Sequence, residues 1–260
     1  AYSNIGDIDN VVNIFNDIPE NEKNIVIIGA MMKGYYDNGE YNKSLNLFYE
    51  TKKHKKYCMN DYLYVFALWS AGDLVSLHQG SLIVDDLNKP ENSHILNNLY
   101  VQSAIITMYA KCSKLEEAIN VFNKNINEYK NNYDEDGLLQ LYSSMMDCYA
   151  RKGDSTQALL LFNDIKNHKQ LQVDDRIYHS AMNACSHSGL VDDALSIFDD
   201  VKNKYNPQII NALIDCLGRK GGHYLDQAED LYIKYLEPNI DLHYKMKTPS
   251  LLSLLLSCRI

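Results

Sequence analysis

Glycine and proline are scarce in this chain of 260 residues, which contains 12 and 5 of them. All-β folds use many of both in their turns, so this scarcity favours helices with few interruptions. Apolar runs of about 20 residues, the length of a membrane-spanning helix, are also missing. Hydrophobic residues nevertheless make up 46% of the chain, which excludes disorder as its general state.

The sequence signatures of common enzyme classes are absent as well. None of the eight histidines is followed two residues later by glutamate, and no two cysteines form a C-x-x-C pattern, so the zinc deaminase signature is missing. There is no phosphate-binding loop, no G-x-G-x-x-G, no G-x-S-x-G and no H-E-x-x-H. We therefore expect no catalysis and no cofactor or metal within these residues.

Basic residues are outnumbered, with 25 Lys+Arg against 34 Asp+Glu and a formal net charge of -9. Polyanions usually bind to basic surfaces, so this charge argues at first sight against a nucleic-acid partner. The six cysteines are widely separated along the chain. This spacing predicts one buried, reduced thiol per structural repeat.

One pattern of four residues recurs along the chain. A first residue, often aromatic, is followed at steps of four, five and four by a small residue, a second small residue and Phe. Complete and degenerate copies are Tyr2-Gly6-Val11-Phe15, Tyr35-Gly39-Ser44-Phe48, Ala71-Val75-Gly80-Val84, Tyr109-Ser113-Ala118-Phe122, Tyr149-Gly153-Ala158-Phe162, Cys185-Gly189-Ala194-Phe198 and Leu217-Ala228-Tyr232.

The pattern is typical of a helical hairpin. The first residue closes one helix, and the small residue after it permits the left-handed turn that ends the helix. The last two lie four apart on one face of the second helix, where the small residue allows close approach and Phe fills the space. One hairpin cannot bury its apolar face alone, so neighbouring hairpins must stack into an all-α solenoid.

Each repeat is predicted to start ten residues before its first marker. This rule gives a partial repeat at 1–24, six complete repeats at 25–60, 61–98, 99–138, 139–174, 175–206 and 207–247, and the start of another element at 248–260. Two polar stretches in the longest repeats, Asn125 to Gly137 and Glu237 to Lys247, are predicted to be exposed loops.

These repeats closely resemble pentatricopeptide repeats. The segments that carry the resemblance include YSSMMDCYARKGDSTQALLLFNDI (142–165), SAIITMYAKCSKLEEAINVF (103–122) and NALIDCLGRKG (211–221). Tetratricopeptide repeats are of similar length, but their Trp signature is missing here. The resemblance covers essentially the whole chain and implies a right-handed α-solenoid.

The repeats also resemble the plant-type subclass in which P, L and S repeats alternate. Repeats 25–60 and 139–174 look P-like, 61–98 and 175–206 L-like, and 99–138 and 207–247 S-like. TPSLLSLLLSCRI (248–260) is similar to the start of the extension motif that often precedes a deaminase domain ending in DYW. The resemblance therefore implies a piece of a longer organellar RNA-editing factor, mitochondrial or alternatively plastid.

The function implied by the resemblance is binding of single-stranded RNA, one base per repeat. Other editing or processing proteins are further candidate partners, and we expect a monomer that does not bind membranes. A protein-binding scaffold of the tetratricopeptide kind remains the alternative, and the acidic net charge favours it. Basic residues at equivalent positions of three repeats favour RNA over a protein as the partner.

The family reads bases with the fifth and the last residue of each repeat. Carried over, the pairs are Gly29 with Asn60, Val65 with Asn98, Ser103 with Leu138, Ser143 with Asp174, His179 with Asn206, and Asn211 with Lys247. Ser143 with Asp174 matches the guanine combination, Asn211 implies a pyrimidine and Ser103 a purine. Gly29 and Val65 cannot hydrogen-bond a base through a side chain.

Two further positions have implied roles. The second residue of each repeat sandwiches bases in the family, or alternatively packs between repeats; here it is Val26, Tyr62, Tyr100, Gln140, Arg176 or Gln208. At the thirteenth position the family has a basic side chain that faces phosphate. Three repeats have one here, Lys111, Arg151 and Arg219, whereas Asp37, Asp73 and His187 occupy this position in the others. The alternative for these cations is pairing with the dipole of their own helix.

Overall fold

The computed structural model describes residues 8–236 except 55, 129–133, 169–170 and 202–205. The helices in this part of the chain are α1 (Ile8–Asp17), α2 (Ile25–Asp37), α3 (Tyr41–Lys53), α4 (Asp61–Asp73), α5 (Leu77–Leu87), α6 (Ser93–Leu96), α7 (Leu99–Lys111), α8 (Leu115–Glu128), α9 (Glu135–Lys152), α10 (Ser155–Lys166), α11 (Asp175–Ser188), α12 (Val191–Asp200), α13 (Pro207–Lys220) and α14 (Tyr224–Leu231). A 3₁₀ turn at Pro90–Asn92 precedes α6, and a π-helical turn at Tyr232–Leu236 follows α14. The described ranges contain no β-strand, which confirms the predicted all-α class.

The chain divides into two compact units, residues 1–141 and 142–260. In the first unit, α4 packs against α2 and α7, and each of these three helices pairs with the helix that follows it. In the second unit, α11 packs against α10, α12 and α13, and α13 pairs with α14. None of the helices described is both long and apolar enough to span a bilayer.

Five first helices begin directly after an Asn or Asp that caps them. The side chains of Asn24, Asn60, Asn98, Asp174 and Asn206 accept hydrogen bonds from backbone N–H groups in the first turn of α2, α4, α7, α11 and α13. Such a cap satisfies a donor that has no partner within the helix and contributes about 1 kcal/mol. These helices start at Ile25, Asp61, Leu99, Asp175 and Pro207, where the repeat pattern places the repeat starts.

The turn inside each hairpin has the predicted left-handed geometry. Gly39, Gly153 and Gly189 have φ of 76°, 76° and 65°, and Ser113 has φ of 62°. Val75, at the turn of the degenerate copy, also has a positive φ of 52°, a conformation that is costly for a β-branched side chain. The turns therefore follow the repeat even where its preferred glycine is replaced.

The third and fourth residues of the four-residue pattern form the core of each hairpin. Four phenylalanines are buried at their marker positions: Phe48, Phe122, Phe162 and Phe198. The small residues one turn earlier, Ser44, Gly80, Ala118, Ala158 and Ala194, are buried as well. Phe fills the space that the small residue leaves between helices, as the pattern predicts.

The prediction of an exposed loop from Asn125 to Gly137 is wrong at both ends of that stretch. Asn125 lies in α8 and is buried, and its amide donates to Gln102 Oε1 at 3.1 Å. At the other end α9 begins at Glu135, and Asp134 Oδ1 accepts from the Gly137 N–H at 3.2 Å. The stretch Glu237 to Lys247 and the element at 248–260 lie outside the described residues.

The cysteines of the described residues are free thiols. Cys148, Cys185 and Cys216 are buried, and burial raises the pKa of each thiol, to about 11, 12 and 11. Cys58 is exposed in the segment between α3 and α4, so the prediction of burial is wrong for this residue. A connecting segment has no facing helix to cover it.

One buried hydroxyl predicts a stabilising substitution. Ser44 is fully buried, and its Oγ has no hydrogen-bond partner among the described residues. Ser44→Ala is expected to raise the free energy of unfolding by about 1 kcal/mol, since it removes an unsatisfied polar group. Ser155→Ala is the control, because the Ser155 hydroxyl donates to Ala184 O at 2.7 Å; here a loss of about 1 kcal/mol is expected. Urea denaturation followed by circular dichroism measures both, and equal effects would contradict the prediction.

Candidate nucleic-acid interface

The fifth, ninth and thirteenth residues of a repeat lie on one face of its first helix, because a spacing of four residues returns to the same side. We call this the 5-9-13 face. In the first unit it comprises Gly29, Lys33, Asp37, Val65, Trp69, Asp73, Ser103, Thr107 and Lys111. In the second unit it comprises Ser143, Asp147, Arg151, His179, Asn183, His187, Asn211, Asp215 and Arg219.

The 5-9-13 face is electrically balanced in each unit. In the first unit two lysines, Lys33 and Lys111, oppose Asp37 and Asp73. In the second unit two arginines, Arg151 and Arg219, oppose Asp147 and Asp215, and two histidines add titratable groups. The chain as a whole carries -9, so its acidic excess lies off this face. Part of this excess lies on second helices, where acidic residues are exposed to solvent: Glu116, Asp192, Asp193, Asp199 and Asp200.

Lys111, the predicted phosphate ligand of the first unit, is engaged in an ion pair. Its Nζ lies 2.6 Å from Asp73 Oδ1, and both side chains are largely buried. The Tyr36 hydroxyl donates to the other oxygen of Asp73 at 2.8 Å. Burial and this acceptor raise the pKa of Tyr36. Lys111 is therefore already neutralised by the thirteenth residue of the preceding repeat.

The two arginines on the 5-9-13 face of the second unit, Arg151 and Arg219, are exposed. Arg219 Nε donates to Asp215 Oδ2 at 2.9 Å, across one helical turn, and the side chains are 55% and 48% exposed. An exposed pair of this kind contributes only about 0.2–1 kcal/mol. Arg219 can therefore exchange its partner for a phosphate more readily than Lys111 can.

Three of the fifth-position residues are buried. Ser103 is 3% exposed, and its hydroxyl donates to Leu99 O at 2.8 Å. Gly29 lies beneath the Tyr62 ring, where an added Cβ would be 2.9 Å from Cδ1. Ser143 is 8% exposed. Of the other three, Asn211 is exposed, whereas Val65 and His179 are partly buried.

Ser143 lies beside two residues that sequence reasoning missed, Ser180 and Asp147. Its Oγ lies 2.9 Å from the Oγ of Ser180 on α11, and Asp147 follows one turn later on α9. Burial raises the pKa of Asp147, while the Ser180 hydrogen bond and the charges of His179, Arg151 and His187 act to lower it. The signal for Asp147 was its spacing of four residues from Ser143 and from Arg151.

Four last-position residues, Asn60, Asn98, Asp174 and Asn206, are helix caps, a role the repeat comparison did not indicate. Asn98 uses its oxygen to cap α7 and donates from Nδ2 to Asp61 Oδ2 at 2.7 Å. Asn206 repeats this arrangement at α13, with Asp175 as its acceptor at 2.7 Å. The preference for Asn and Asp directly before helix starts was the signal in the sequence.

The other last positions differ from one another. Asn60 caps α4, and Asp174 caps α11 while its Oδ2 accepts from Arg176 Nε at 2.7 Å. Leu138 lies inside α9 and is buried, so it does not precede its neighbouring helix as Asn60 and Asp174 do. Asp134 takes that place because α9 extends one turn further towards the N-terminus. Lys247 lies outside the described residues.

Three second-position residues are the most exposed of the predicted set in the first unit. Val26, Tyr62 and Tyr100 are 73%, 43% and 39% exposed. The Tyr62 ring also packs on Phe66, with centroids 4.8 Å apart, and the Tyr100 hydroxyl donates to Asp136. Gln208 is exposed, whereas Gln140 and Arg176 are partly buried. Base stacking and packing between repeats are thus compatible at Tyr62.

A model of the PPR repeat matches four stretches of the chain, residues 26–55, 103–124, 141–169 and 176–205. A mitochondrial pentatricopeptide repeat-containing protein of Arabidopsis thaliana is 34% identical over 103 residues, which is 40% of this chain and 10% of that protein. A second Arabidopsis thaliana relative is 27% identical over 245 residues, 92% of this chain and 23% of its own length. The chain therefore spans less than a quarter of either relative.

Among solved structures the chain is similar to the pentatricopeptide repeat protein PPR10 in complex with an 18-nt psaJ RNA element. The TM-score is 0.60 at 17% identity, over 92% of this chain and 34% of PPR10. This likeness confirms the predicted α-solenoid class. Four stretches of the chain thus match the PPR repeat, and the relatives it resembles are plant pentatricopeptide repeat-containing proteins.

Proposed function

We propose that this chain binds single-stranded RNA through the 5-9-13 face of its first helices. The observation that carries the proposal is the charge of that face: it is balanced in each unit although the chain carries -9, so it does not repel a polyanion. The exposed Arg151 and Arg219 supply the cations. PPR10, with which the chain shares its fold, is in complex with RNA.

The narrower role that we propose is the targeting of RNA editing or processing by a longer protein. The alternation of P-like, L-like and S-like repeats supports it, and so does the segment 248–260 that resembles an extension motif. A deaminase domain would then follow these repeats in the parent protein. Two of the relatives are named mitochondrial, which favours mitochondria over plastids.

The test is a binding titration with a short single-stranded RNA at several salt concentrations. The variant replaces Lys111, Arg151 and Arg219 by Gln rather than Glu, because a carboxylate at 111 would face Asp73 and disturb folding. We expect about tenfold weaker binding. For the unsubstituted chain, the logarithm of the binding constant should fall with the logarithm of the salt concentration with a slope of about 1.4. Each phosphate contact on a single strand contributes about 0.7, and only Arg151 and Arg219 count because Lys111 is already paired.

A matched control removes the same charge from second helices. Lys43, Lys124 and Lys166 lie exposed on α3, α8 and α10, and their replacement by Gln should change RNA binding less than twofold. If the unsubstituted chain binds no RNA, or if both triple variants bind equally, the proposal is wrong. Binding of a basic peptide instead of RNA would support a protein scaffold.

A further inference from the structure

The predicted phosphate ligand Lys111 contacts an acid of the preceding repeat. Lys111 ends α7 and Asp73 ends α4, and each is the thirteenth residue of its repeat. Lys111 Nζ donates to Asp73 Oδ1 at 2.6 Å, and the two side chains are only 18% and 22% exposed. The pair is therefore mostly shielded from water, unlike the exposed pair of Arg219 with Asp215.

The aliphatic stem of Lys111 lies against the backbone of α4. A Cβ added at Gly72 would lie 3.1 Å from Lys111 Cδ and 3.2 Å from Met108 Cα. Glycine, which has no side chain, permits this close approach of the two helices. Gly72 thus leaves room for the lysine stem beside the Asp73 carboxylate, and packing as well as charge orients the ammonium group.

Asp73 is held in place by the neighbouring repeats rather than by its own helix. The C-terminal end of a helix carries a partial negative charge, which is unfavourable for a carboxylate. From repeat 25–60 the Tyr36 hydroxyl donates to Asp73 Oδ2 at 2.8 Å, and from repeat 99–138 Lys111 donates to Oδ1. The carboxylate is therefore fixed on the 5-9-13 face by contacts on both of its oxygens.

This arrangement distinguishes Lys111 from the other two cations at the thirteenth position. The repeat before Lys111 has Asp73 at that position, whereas the repeats before Arg151 and Arg219 have Lys111 and His187. A phosphate that approaches Lys111 Nζ also approaches a carboxylate oxygen that lies 2.6 Å from it. The two anions repel each other, and more strongly where water is partly excluded.

We propose that Asp73 competes with RNA phosphate for Lys111 and so limits the affinity of the first unit for RNA. The inference rests on RNA binding as proposed above. A phosphate gains the Lys111 contact only by displacing Asp73, and this displacement leaves a largely buried carboxylate with the Tyr36 hydroxyl as its remaining donor.

The experiment measures RNA binding of Asp73→Asn in the same salt titration as the unsubstituted chain. The new side-chain oxygen can still accept from the Tyr36 hydroxyl, but the amide no longer neutralises Lys111. Binding should become about threefold tighter, since about tenfold for Arg151 and Arg219 together corresponds to about threefold per phosphate contact. The salt slope should rise from about 1.4 to about 2.1, because a third contact adds about 0.7.

Two controls separate the release of Lys111 from the loss of one negative charge. The double variant Asp73→Asn/Lys111→Gln removes the released cation, so the gain in affinity should vanish and the slope should return to about 1.4. Asp85→Asn removes a negative charge from an exposed position on α5, where salt screens it, and should change binding less than about twofold. Circular dichroism verifies that each variant is folded, and Asp73→Ser replaces Asp73→Asn if the latter does not fold.

A chain that binds no RNA overturns the proposed function. If the unsubstituted chain binds RNA with a slope that is already about 2.1, Lys111 contacts phosphate despite Asp73, and the competition is overturned without any variant. Unchanged affinity in Asp73→Asn overturns it as well. So does a gain that persists in the double variant, because the loss of negative charge alone would then account for it.

Discussion

Asp86→Ala is expected to destabilise the first unit by about 3 kcal/mol, because it removes a buried carboxylate that accepts from a buried hydroxyl and pairs with two lysines. Asp86 is 7% exposed on α5 and accepts from the Tyr64 hydroxyl at 2.6 Å and from Lys89 Nζ at 2.8 Å. Lys52 contacts the same carboxylate. The substitution would leave the hydroxyl of the fully buried Tyr64 without its acceptor.

The matched control for this prediction is the neighbouring residue. Asp85 lies on the same helix, and it is exposed. Asp85→Ala changes charge and helix propensity in the same way, and it should cost less than about 0.5 kcal/mol, as is usual at the surface. Urea denaturation of both variants measures the difference; equal midpoints would show that the Asp86 cluster contributes nothing.

The same cluster predicts a dependence on pH. Burial acts to raise the pKa of Asp86, but hydrogen bonds from Lys52, Lys89 and Tyr64 outweigh it and hold the pKa below its ordinary value of 3.8. A lowered folded pKa contributes stability that is complete above the ordinary value and is lost as pH falls through the folded pKa. Asp86→Asn should therefore flatten the loss of stability below about pH 4.

Gly80→Val is expected to destabilise the first unit by about 3 kcal/mol through overpacking. A Cβ added at Gly80 would lie 2.3 Å from Met108 Sδ and 2.8 Å from its Cε. Met108 is fully buried, so its side chain has no open space into which it can move. The degenerate third copy of the pattern thus has glycine where the later copies have alanine, because α5 packs directly against a long side chain of α7.

A double-variant cycle tests the assigned cause. Met108→Ala alone should cost about 2–5 kcal/mol by leaving a cavity. In the double variant the valine fills part of that cavity, so the loss should be smaller than the two single losses added together by at least about 1 kcal/mol. If the two losses are additive, the cost of Gly80→Val does not come from a clash with Met108, and glycine is needed there for its backbone conformation instead.

The repeat structure could be predicted from sequence because its signals are local. Turn residues such as Gly39 and Gly153, and the caps before α4 and α11, act within a few positions along the chain. Helix α9 begins four residues before the predicted repeat start at residue 139, because the marker spacing, set by Tyr149, is independent of how far the helix extends towards the N-terminus. There Asp134 caps the helix and Leu138 is buried.

The site was predictable only in part. The thirteenth-position cations were found by alignment of the repeats, since one residue series follows one helix face. Whether such a cation is available depends on the neighbouring repeat: Lys111 faces Asp73 38 residues away, whereas the partner of Arg219 is Asp215 on its own helix. The caps at Asn98 and Asn206 likewise acquire second partners, Asp61 and Asp175, through contacts distant in sequence.

Scarce glycine and proline and a repeated four-residue pattern determined that this chain forms an array of helical hairpins, because hairpin formation depends on neighbours along the chain. The spacing of residues along each first helix also determined that the 5-9-13 face is balanced although the chain carries -9. Tertiary structure alone decided which charges on that face are available: Lys111 is largely buried in an ion pair with Asp73 of the preceding repeat, whereas Arg219 is exposed beside Asp215. This difference follows from the packing of one repeat on the next.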